Sequence, residues 1–493
     1  MRKTILTPIF ALIILFAGSG FAQVNEGRTL TLEESIAIAL KESYSIKSAE
    51  QNLIASQKSL MSWKLGLRSQ VDMKVTIPSY NRSVQLQFNP ITQLDEYFKR
   101  ETNQKSASFT INQPIVPTNT LLFLSGDLVK TSQFGLISKT DWGSNFGINL
   151  NQPLFTPNER KMQGEEIELG LEESEKNYTQ TQQNIIFNVT SSFYMLYSSA
   201  RRMSIAEEEV QQRENSYNLA MNKFKAGILA EVEALAQEVD LAEARSTYQQ
   251  RLGDYRRQED AFKLLIGLSL DERIQPVAQI DIKLVDVNET KAIDEAIKRR
   301  PDIRVAEIDI IQQENRLRRE KATRQIKASI NAFYGVDKNA DYLKNVMKEF
   351  NESNRITFTV DVPIWDWGSH KASVDRVRAN IKNAELNLEN TRRQLITDIK
   401  DLVTQFNESK ERLNILEKNV EVAQKQFDIS LERFNNGDID TEGLALAQTR
   451  LSTAKLSQLD AQISYLRALS NLKRSTYWDF EKDEPVFEIQ VEK

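Results

Sequence analysis

The strongest constraint on the fold is an internal repeat. The segment 146–224 recurs without a gap 210 positions later, at 356–434. In both copies an alternating strand pattern leads to a proline, Pro153 or Pro363, and a long polar segment follows. That segment carries an apolar residue at every seventh position, which is typical of a helix that packs along a heptad seam. In the second copy the row is Ile399, Phe406, Leu413, Val420, Phe427 and Phe434. A register kept over this length indicates an internal duplication.

Composition narrows the function classes. Of the 493 residues 40% are hydrophobic and 27% are charged, a balance that favours long solvent-facing helices over a compact globule. The net charge of −5 argues against a nucleic-acid partner. Because the chain has no cysteine, disulfides, thiolate nucleophiles and cysteine-based zinc sites are excluded. The single histidine, His370, aligns with Arg160 and is expected to be an ordinary surface residue. We predict no enzyme, no cofactor and no metal site.

The N-terminus predicts an export signal over residues 1–22. Arg2 and Lys3 supply the positive start, an apolar run follows, and cleavage is expected between Ala22 and Gln23. The run has about 14 apolar residues, fewer than the roughly 20 that a spanning helix needs.

The duplication extends toward the N-terminus, but there the two copies are separated by a different number of positions. A helix is predicted over 31–66, with Thr31 and Glu34 as a capping box. Its counterpart lies 257 positions later, so that Ile46 matches Ile303. The two offsets differ because the first half carries an insertion over 77–145, which we interpret as a long loop with extra short strands. Whether it contacts the outside surface, extends a barrel or plugs it stays open.

The helix that follows the first proline is predicted over 160–226, about 100 Å long at 1.5 Å per residue. Gly227 ends it and Gly437 ends its copy, both as C′ glycines. A shorter helix is predicted over 229–267. The predicted organisation is a signal peptide at 1–22, a first repeat at 23–268, a linker at 269–288, a second repeat at 289–478 and an acidic tail at 479–493.

Aromatic residues cluster where the strands give way to helices. Trp365 and Trp367 follow Pro363, and we expect Trp142 and Phe155 near the equivalent corner of the first copy. Such aromatics are either core filler or, in a membrane barrel, part of an interfacial belt.

Each chain offers two pairs of alternating strands, too few to close a barrel, for which about eight is the minimum. Three chains that share about twelve strands would leave no exposed edge. The fold class we predict is therefore mainly α with β: four barrel strands per chain in a trimeric transmembrane barrel, joined to a tube of coiled-coil helices. Such an assembly is a conduit.

Short motifs at matching places support this interpretation. They are Thr31-Leu-Glu-Glu with Ala39-Leu40, Arg300-Pro-Asp-Ile303, Gln-Pro-Leu-Phe at 152–155, Val-Pro-Ile-Trp at 362–365, and Phe-x-x-Gly at 224–227 and 434–437. In order and spacing they resemble the TolC-type outer-membrane efflux and secretion channel family across nearly the whole mature chain. The resemblance implies a homotrimer in outer-membrane lipid, with a 12-stranded β-barrel and a periplasmic α-barrel. It also implies a periplasmic adaptor, an inner-membrane pump, and export of small molecules or proteins through a tripartite pump or a type I secretion system.

The chain departs from this family at the periplasmic aperture. In well-known members, carboxylates six and nine residues after the second glycine ring the entrance and bind cations. Here those positions are Gly443 and Leu446. The candidate aperture acids are instead Glu233, Asp438, Asp440 and Glu442. The alternative is that they are ordinary helix caps and surface acids.

Two other classes fit part of the pattern. An exported periplasmic coiled-coil scaffold without a pore explains the heptads but not the duplicated strands that end in proline. An adaptor protein would have one helical hairpin between lipoyl and barrel segments, and not two copies of strand, helix and helix.

Overall fold

The computed structural model describes residues 28–135, 138–277 and 282–486. The predicted signal peptide, with Ala22 and Gln23, lies outside these ranges, as do the last residues of the tail. The chain divides into two compact units. The first unit comprises Met1–Ile38 and Ser192–Asp281, and the second comprises Ala39–Ser191 and Ile282–Lys493. In the part of the chain that the structure describes, no helix has the length and apolar character that crossing a membrane requires.

Eight helices lie within the described ranges. They are α1 (Leu32–Glu42), α2 (Tyr44–Gly66), α3 (Glu159–Lys225), α4 (Glu231–Ile266), α5 (Glu289–Arg299), α6 (Pro301–Thr323), α7 (Ser369–Asn436) and α8 (Thr441–Thr476). The strands are β1 (Arg28–Leu30), β2 (Gln70–Asn89), β3 (Leu94–Ile115), β4 (Thr120–Phe134), β5 (Lys139–Leu154), β6 (Ile274–Pro276), β7 (Lys327–Ala340), β8 (Asn351–Asp361), β9 (Trp478–Asp479) and β10 (Glu484–Pro485).

The helix bounds confirm the duplication. Shifting α4 by 210 positions reproduces α8 at both ends, and shifting α1 and α2 by 257 reproduces α5 and α6 at both ends. The two long helices, α3 and α7, begin 210 positions apart. Both offsets read from the sequence therefore describe the same secondary structure twice.

The predicted helix over 31–66 is in fact two helices. The predicted capping box begins α1, since the amide of Glu34 donates to the hydroxyl of Thr31 at 3.2 Å and the amide of Thr31 donates to Glu34 at 3.0 Å. The break falls at Ser43, whose backbone is extended and whose hydroxyl accepts from the amide of Ile46 at the start of α2. A serine that caps the start of α2 competes with continuation of α1. The heptad pattern did not reveal this break.

A single antiparallel sheet in the second unit has the strand order β2-β3-β4-β5-β7-β8. It has six strands, so the expectation of four strands per chain was wrong. The insertion at 77–145 is not mainly a loop, because it supplies most of β2, all of β3 and β4, and the start of β5. The sequence predicted only short strands here, and two features hid their full length. The alternation of β2 is interrupted by a register shift between Thr76 and Ser79, and β3 is rich in polar residues.

The sheet has one apolar and one polar face. One cross-strand row places Val71, Ile111, Leu124, Ile148 and Tyr334 opposite one another on β2, β3, β4, β5 and β7. The adjacent row, on the other face, holds Asp72, Thr110, Ser125, Gly147 and Gly335. Because side chains alternate between faces along a strand, the two rows define the two faces.

Helix packing in the second unit follows the predicted heptad seam. Ile399, Phe406 and Leu413 of α7 are buried in a core with α5 and α8. Tyr465 of α8 is fully buried, with its ring 5.2 Å from that of Phe406, and its hydroxyl donates to the carbonyl of Lys283 at 2.9 Å. The tyrosine therefore fixes the segment before α5 against the long helix α7.

The first unit has a core of its own. Phe193 of α3 and Phe262 of α4 are buried, with ring centroids 6.0 Å apart. Part of the predicted linker is the strand β6, which pairs in parallel with β1. The hydroxyl of Tyr255 donates to the carbonyl of Ile274 at 3.0 Å and ties β6 to α4.

Candidate functional site

Each long helix ends in the same turn. The structure places Gly227 just past α3 with φ of 73° and Gly437 just past α7 with φ of 84°. In the first turn the amide of Ile228 donates to the carbonyl of Lys223 at 2.9 Å, and in the second the amide of Asp438 donates to Arg433 at 2.9 Å. Glycine is required here for its left-handed backbone, since no atom lies within 4 Å of a Cβ added at either position.

The four candidate aperture acids differ in their surroundings. Asp440 is the N-cap of α8, and its carboxylate accepts from the amide of Gly443 at 2.8 Å. Asp438 and Glu442 are exposed in the isolated chain. Glu233, in the first unit, is half-buried in the first turn of α4. Carboxylates in these first turns also interact favourably with the N-terminal end of the helix dipole.

The corner after β8 is organised by an aspartate that the sequence motifs did not identify. The carboxylate of Asp366 accepts from the amides of Gly368 at 3.0 Å and His370 at 2.9 Å, and it lies 3.3 Å from the guanidinium of Arg324. The backbone amides of His370 and Gly368 lower the pKa of Asp366 below its ordinary value. Asp366 therefore remains an anion that holds the first turn of α7.

Two tryptophans project from this corner. Trp365 is 70% exposed and Trp367 90% exposed, and their rings meet edge to face with centroids 5.5 Å apart. The strand β8 ends at Asp361, two residues before Pro363. In the isolated chain these rings are not core filler, because most of their surface is open.

The corner after β5 uses different residues. Pro153 lies inside β5, opposite Ser329, so the strand continues one residue past the proline. Phe155 is 74% exposed with φ of 59°. Asn158 then accepts from the amide of Lys161 at 3.0 Å and so begins α3. The side-chain amide of Asn158 donates to the carbonyl of Val116 at 2.6 Å.

Trp142 does not lie at this corner, contrary to expectation. It lies eleven positions before Pro153 in the same strand, a separation of about 36 Å at 3.3 Å per residue. The ammonium group of Lys130, its cross-strand partner, lies 5.2 Å from the centre of its ring. Period-two spacing places Trp142 on the apolar face with Phe146 and Ile148, at the opposite end of the sheet from Phe155.

A polar cavity of about 390 Å³ lies between α3, α7 and α8 within the second unit, and sequence reasoning missed it. Its lining includes Asn184, Arg300, Asp398, Asp401 and Arg474. Arg474 donates to Asn184 at 3.0 Å and to Asn471 at 2.8 Å. Burial, and then the charge of Arg300, lowers the pKa of Arg474 from its ordinary value. Basic residues are common in the last turn of a helix, so Arg474 does not stand out in the sequence and this cavity has no local signal.

Over the described ranges, no group of three or more Asp, Glu or His side chains could hold a metal ion. His370 contacts the hydroxyl of Thr323 through Nδ1 at 3.4 Å.

Comparison with known proteins identifies the family. The sequence matches the profile of the outer membrane efflux proteins over residues 130–268 and 292–476, more than half of the chain. The chain belongs to the outer membrane efflux protein family. It is accordingly an efflux channel of the outer membrane, as the sequence predicted. The match begins inside β4, so β2 and β3 lie outside it. No curated protein matches the chain in sequence.

Solved structures of outer-membrane channels share the fold of this efflux protein. The Campylobacter jejuni channel CmeC is 16% identical with a TM-score of 0.68, and the match covers 93% of this chain and 87% of that one. VceC from Vibrio cholerae is 15% identical with a TM-score of 0.65, over 90% of this chain and 95% of that one. The open state of Neisseria gonorrhoeae MtrE is 16% identical with a TM-score of 0.66, over 90% and 88%. These matches confirm the predicted combination of long helices with a β domain, though not the predicted number of strands, and the comparisons lend no support to a scaffold or adaptor without a pore.

Proposed function

We propose that this efflux protein acts as a homotrimeric exit duct for a tripartite efflux pump or a type I secretion system. The observation that carries the proposal is the two-faced sheet, which is apolar on one side and polar on the other. Closed across copies of the chain, such a sheet would turn its apolar face to lipid and its polar face to an aqueous lumen. A single copy of the sheet has two unpaired edges, which closure removes.

The helices supply the periplasmic part of the proposed duct. Two helical hairpins with matching bounds and matching glycine turns give each copy two equivalent walls, which suits a tube built from repeated units. We propose a periplasmic adaptor and an inner-membrane pump as its partners, with small molecules or proteins as cargo. This part rests on the resemblance to the channel family.

Aromatic side chains would mark the borders of the membrane. Trp142 lies at one end of the apolar face, whereas Phe155, Trp365 and Trp367 follow the other end. Aromatic residues are enriched at both interfaces of membrane β-barrels. We propose that the two groups belong to the two interfacial belts.

The aperture acids complete the proposal. Asp438, Glu442 and Glu233 would supply negative charge at the periplasmic entrance, whereas Asp440 is already used as a helix cap. Cations entering the duct would then meet a local negative potential, as at other charged constrictions.

The deciding experiment combines native mass with efflux. The mature chain is extracted in detergent from the outer-membrane fraction of cells lacking their own outer-membrane efflux duct, and the susceptibility of those cells to toxic compounds is measured. A mass of three chains together with restored resistance supports the proposal. A monomer in that fraction, or a protein found only in the periplasm, would overturn it.

A further inference from the structure

The sheet contains more strands than a shared barrel of twelve needs. Six strands pair in one continuous antiparallel sheet, and its two edges are β2 and β8. We propose that β2 of each copy pairs with β8 of the next copy, so that three copies close a barrel of eighteen strands. This inference rests on the proposed homotrimer and goes beyond it by naming the edge that a second copy of the chain occupies.

The first support is that β2 and β3 are built into the sheet. Pairs between β3 and β4 run without interruption from Glu101 opposite Phe134 to Ile115 opposite Thr120. A barrel of twelve strands would have β4 at its edge, which requires this whole ladder to separate. Backbone groups freed in that way would need new partners, at a cost that a paired sheet does not incur.

The turn between β3 and β4 is also anchored. Asn158, at the start of α3, donates to the carbonyls of Val116 at 2.6 Å and Pro117 at 3.4 Å. Gln152 of β5 donates to the carbonyl of Thr118 at 2.9 Å. The turn is therefore fixed to the same strand-to-helix junction as β5, which leaves the β2–β3 hairpin little freedom to detach.

The apolar face continues across the added strands. Val71, Met73 and Val75 of β2 are 60%, 72% and 51% exposed and share a face with Phe109 and Ile111 of β3. In water, this strip of large apolar side chains would be unfavourable. Facing lipid, it extends the apolar band of β5 and β8.

The apolar band also shifts along the strands as a barrel requires. The cross-strand row that contains Val71 of β2 meets β8 at Asn354. The apolar residues of β8 lie nearer to the start of α7, at Ile356, Phe358 and Val360. Barrel strands tilt by about 35–45°, so a band parallel to the membrane must drift along successive strands. This shift of the apolar residues is continuous from β2 and β3 to β8, so β2 and β3 belong to the same lipid-facing band as the other strands.

The ends of the two edge strands indicate an approximate register. β2 begins at Gln70, just after α2, and β8 ends at Asp361, just before α7. With both helix ends level, the eleven residues of β8 would pair with the start of β2. Barrel diameter grows roughly in proportion to strand number, so this duct would be about one and a half times as wide at the membrane as one of twelve strands.

Engineered disulfides test the pairing, because the chain has no cysteine. Lys74→Cys on the polar face of β2 is combined in turn with Arg355→Cys, Thr357→Cys and Thr359→Cys on the same face of β8. The matched control replaces Lys74→Cys by Ser125→Cys on β4, which lies on that face but between β3 and β5. After oxidation of intact outer membranes, denaturing gels without reductant report covalent dimers and trimers.

We expect covalent trimers with the β2 cysteine in at least one register, and monomers with the β4 cysteine. Cross-linking through β4 would overturn the eighteen-strand barrel while leaving the homotrimer intact. The same conclusion would follow if all β2 pairs stayed monomeric on gels while the reduced variants kept the native mass of a trimer. A native monomer before oxidation would instead overturn the proposed function itself.

Discussion

The side-chain amide of Asn158 donates to the carbonyl of Val116 at 2.6 Å, and this bond ties the β3–β4 turn to the first turn of α3. The same side chain accepts from the amide of Lys161, so that one residue begins a helix and holds a strand turn. In the second copy the equivalent position is Gly368, which adopts a left-handed backbone instead. The two halves thus use different chemistry at equivalent corners, as expected where only the first half carries the inserted strands.

Replacing Asn158 separates these two functions. Asn158→Ala removes the cap and both bonds to the turn, and it should destabilise the protein by about 1–2 kcal/mol. Asn158→Asp keeps a capping acceptor but loses the donor to Val116. We expect thermal unfolding in detergent, followed by circular dichroism, to rank the wild type above Asn158→Asp and that above Asn158→Ala. Equal melting temperatures for the wild type and Asn158→Asp would show that the bond to Val116 contributes nothing, and equal values for the two variants would show the same of the cap.

Replacing glycine by alanine should have opposite effects on stability at Gly437, which lies in a turn, and at Gly170, which lies inside a helix. Gly437→Ala places a Cβ on a left-handed backbone and should destabilise by about 1–2 kcal/mol. Gly170→Ala lies inside α3 with no atom within 4 Å of the added Cβ, and it should stabilise by about 0.5–1 kcal/mol. Melting temperatures of the two variants in detergent check the signs. A loss of stability in both variants would contradict the prediction and would indicate that the surroundings of Gly170 do not accept a methyl group.

Most of the correct predictions from the sequence concern helices, and they came from helical periodicity. The predicted helix over 160–226 is α3 at Glu159–Lys225, and that over 229–267 is α4 at Glu231–Ile266. Heptad seams and C′ glycines are local signals with a fixed period, so they mark both the face and the end of a helix. The break at Ser43 escaped because neither glycine nor proline marks it.

The strands were harder to predict for a physical reason. A strand that faces lipid on one side and an aqueous lumen on the other needs apolar residues only at alternate positions, and over much of its length β3 fills these with polar or charged residues such as Lys99, Glu101 and Asn103. The bulge in β2 moves its later apolar residues out of phase. Pairing between strands, and not the pattern within each one, identifies them as members of one sheet. For the same reason the cavity around Arg474, which depends on a contact as distant in sequence as that with Asn184, had no local signature.

The two faces of β8 should respond differently to charge. Ile356→Arg introduces a cation on the apolar face, which should cost about 2–4 kcal/mol near the middle of a membrane. The neighbouring Thr357→Arg places the same side chain on the polar face and should be tolerated. The yield of trimer in detergent extracts of the outer-membrane fraction measures the difference. Equal yields for both variants would contradict the assignment of the faces.

Ion pairing between α6 and α3 predicts sensitivity to acid. Arg304 donates to Glu172 at 2.6 and 3.1 Å, and this hydrogen bonding holds the pKa of Glu172 below its ordinary value of 4.5. Since the carboxyl is more acidic in the folded protein, its contribution to stability is present above pH 4.5 and is lost as the pH falls through the lower folded value. Melting temperatures between pH 6 and about pH 3 should therefore fall less steeply for Glu172→Gln than for the wild type. Parallel pH profiles would contradict the prediction.

The last prediction concerns the candidate aperture acids and the block of the channel by cations. Neutralising all of them in one variant, with Glu233→Gln, Asp438→Asn, Asp440→Asn and Glu442→Gln, should weaken block of single-channel current by multivalent cations added on the periplasmic side. Asparagine at 440 keeps the helix cap, because Asn and Asp are comparable N-cap residues. The variant should therefore retain the melting temperature of the wild type while its block changes.

Asp440→Ala serves as the complementary control. It removes the acceptor for the amide of Gly443 and should destabilise α8 by about 1 kcal/mol. Because the other three acids remain, cation block in this variant should stay close to that of the wild type. If the fully neutralised variant shows unchanged conductance and unchanged block, the four acids are ordinary caps and surface charges, and cations meet no acidic constriction at these residues.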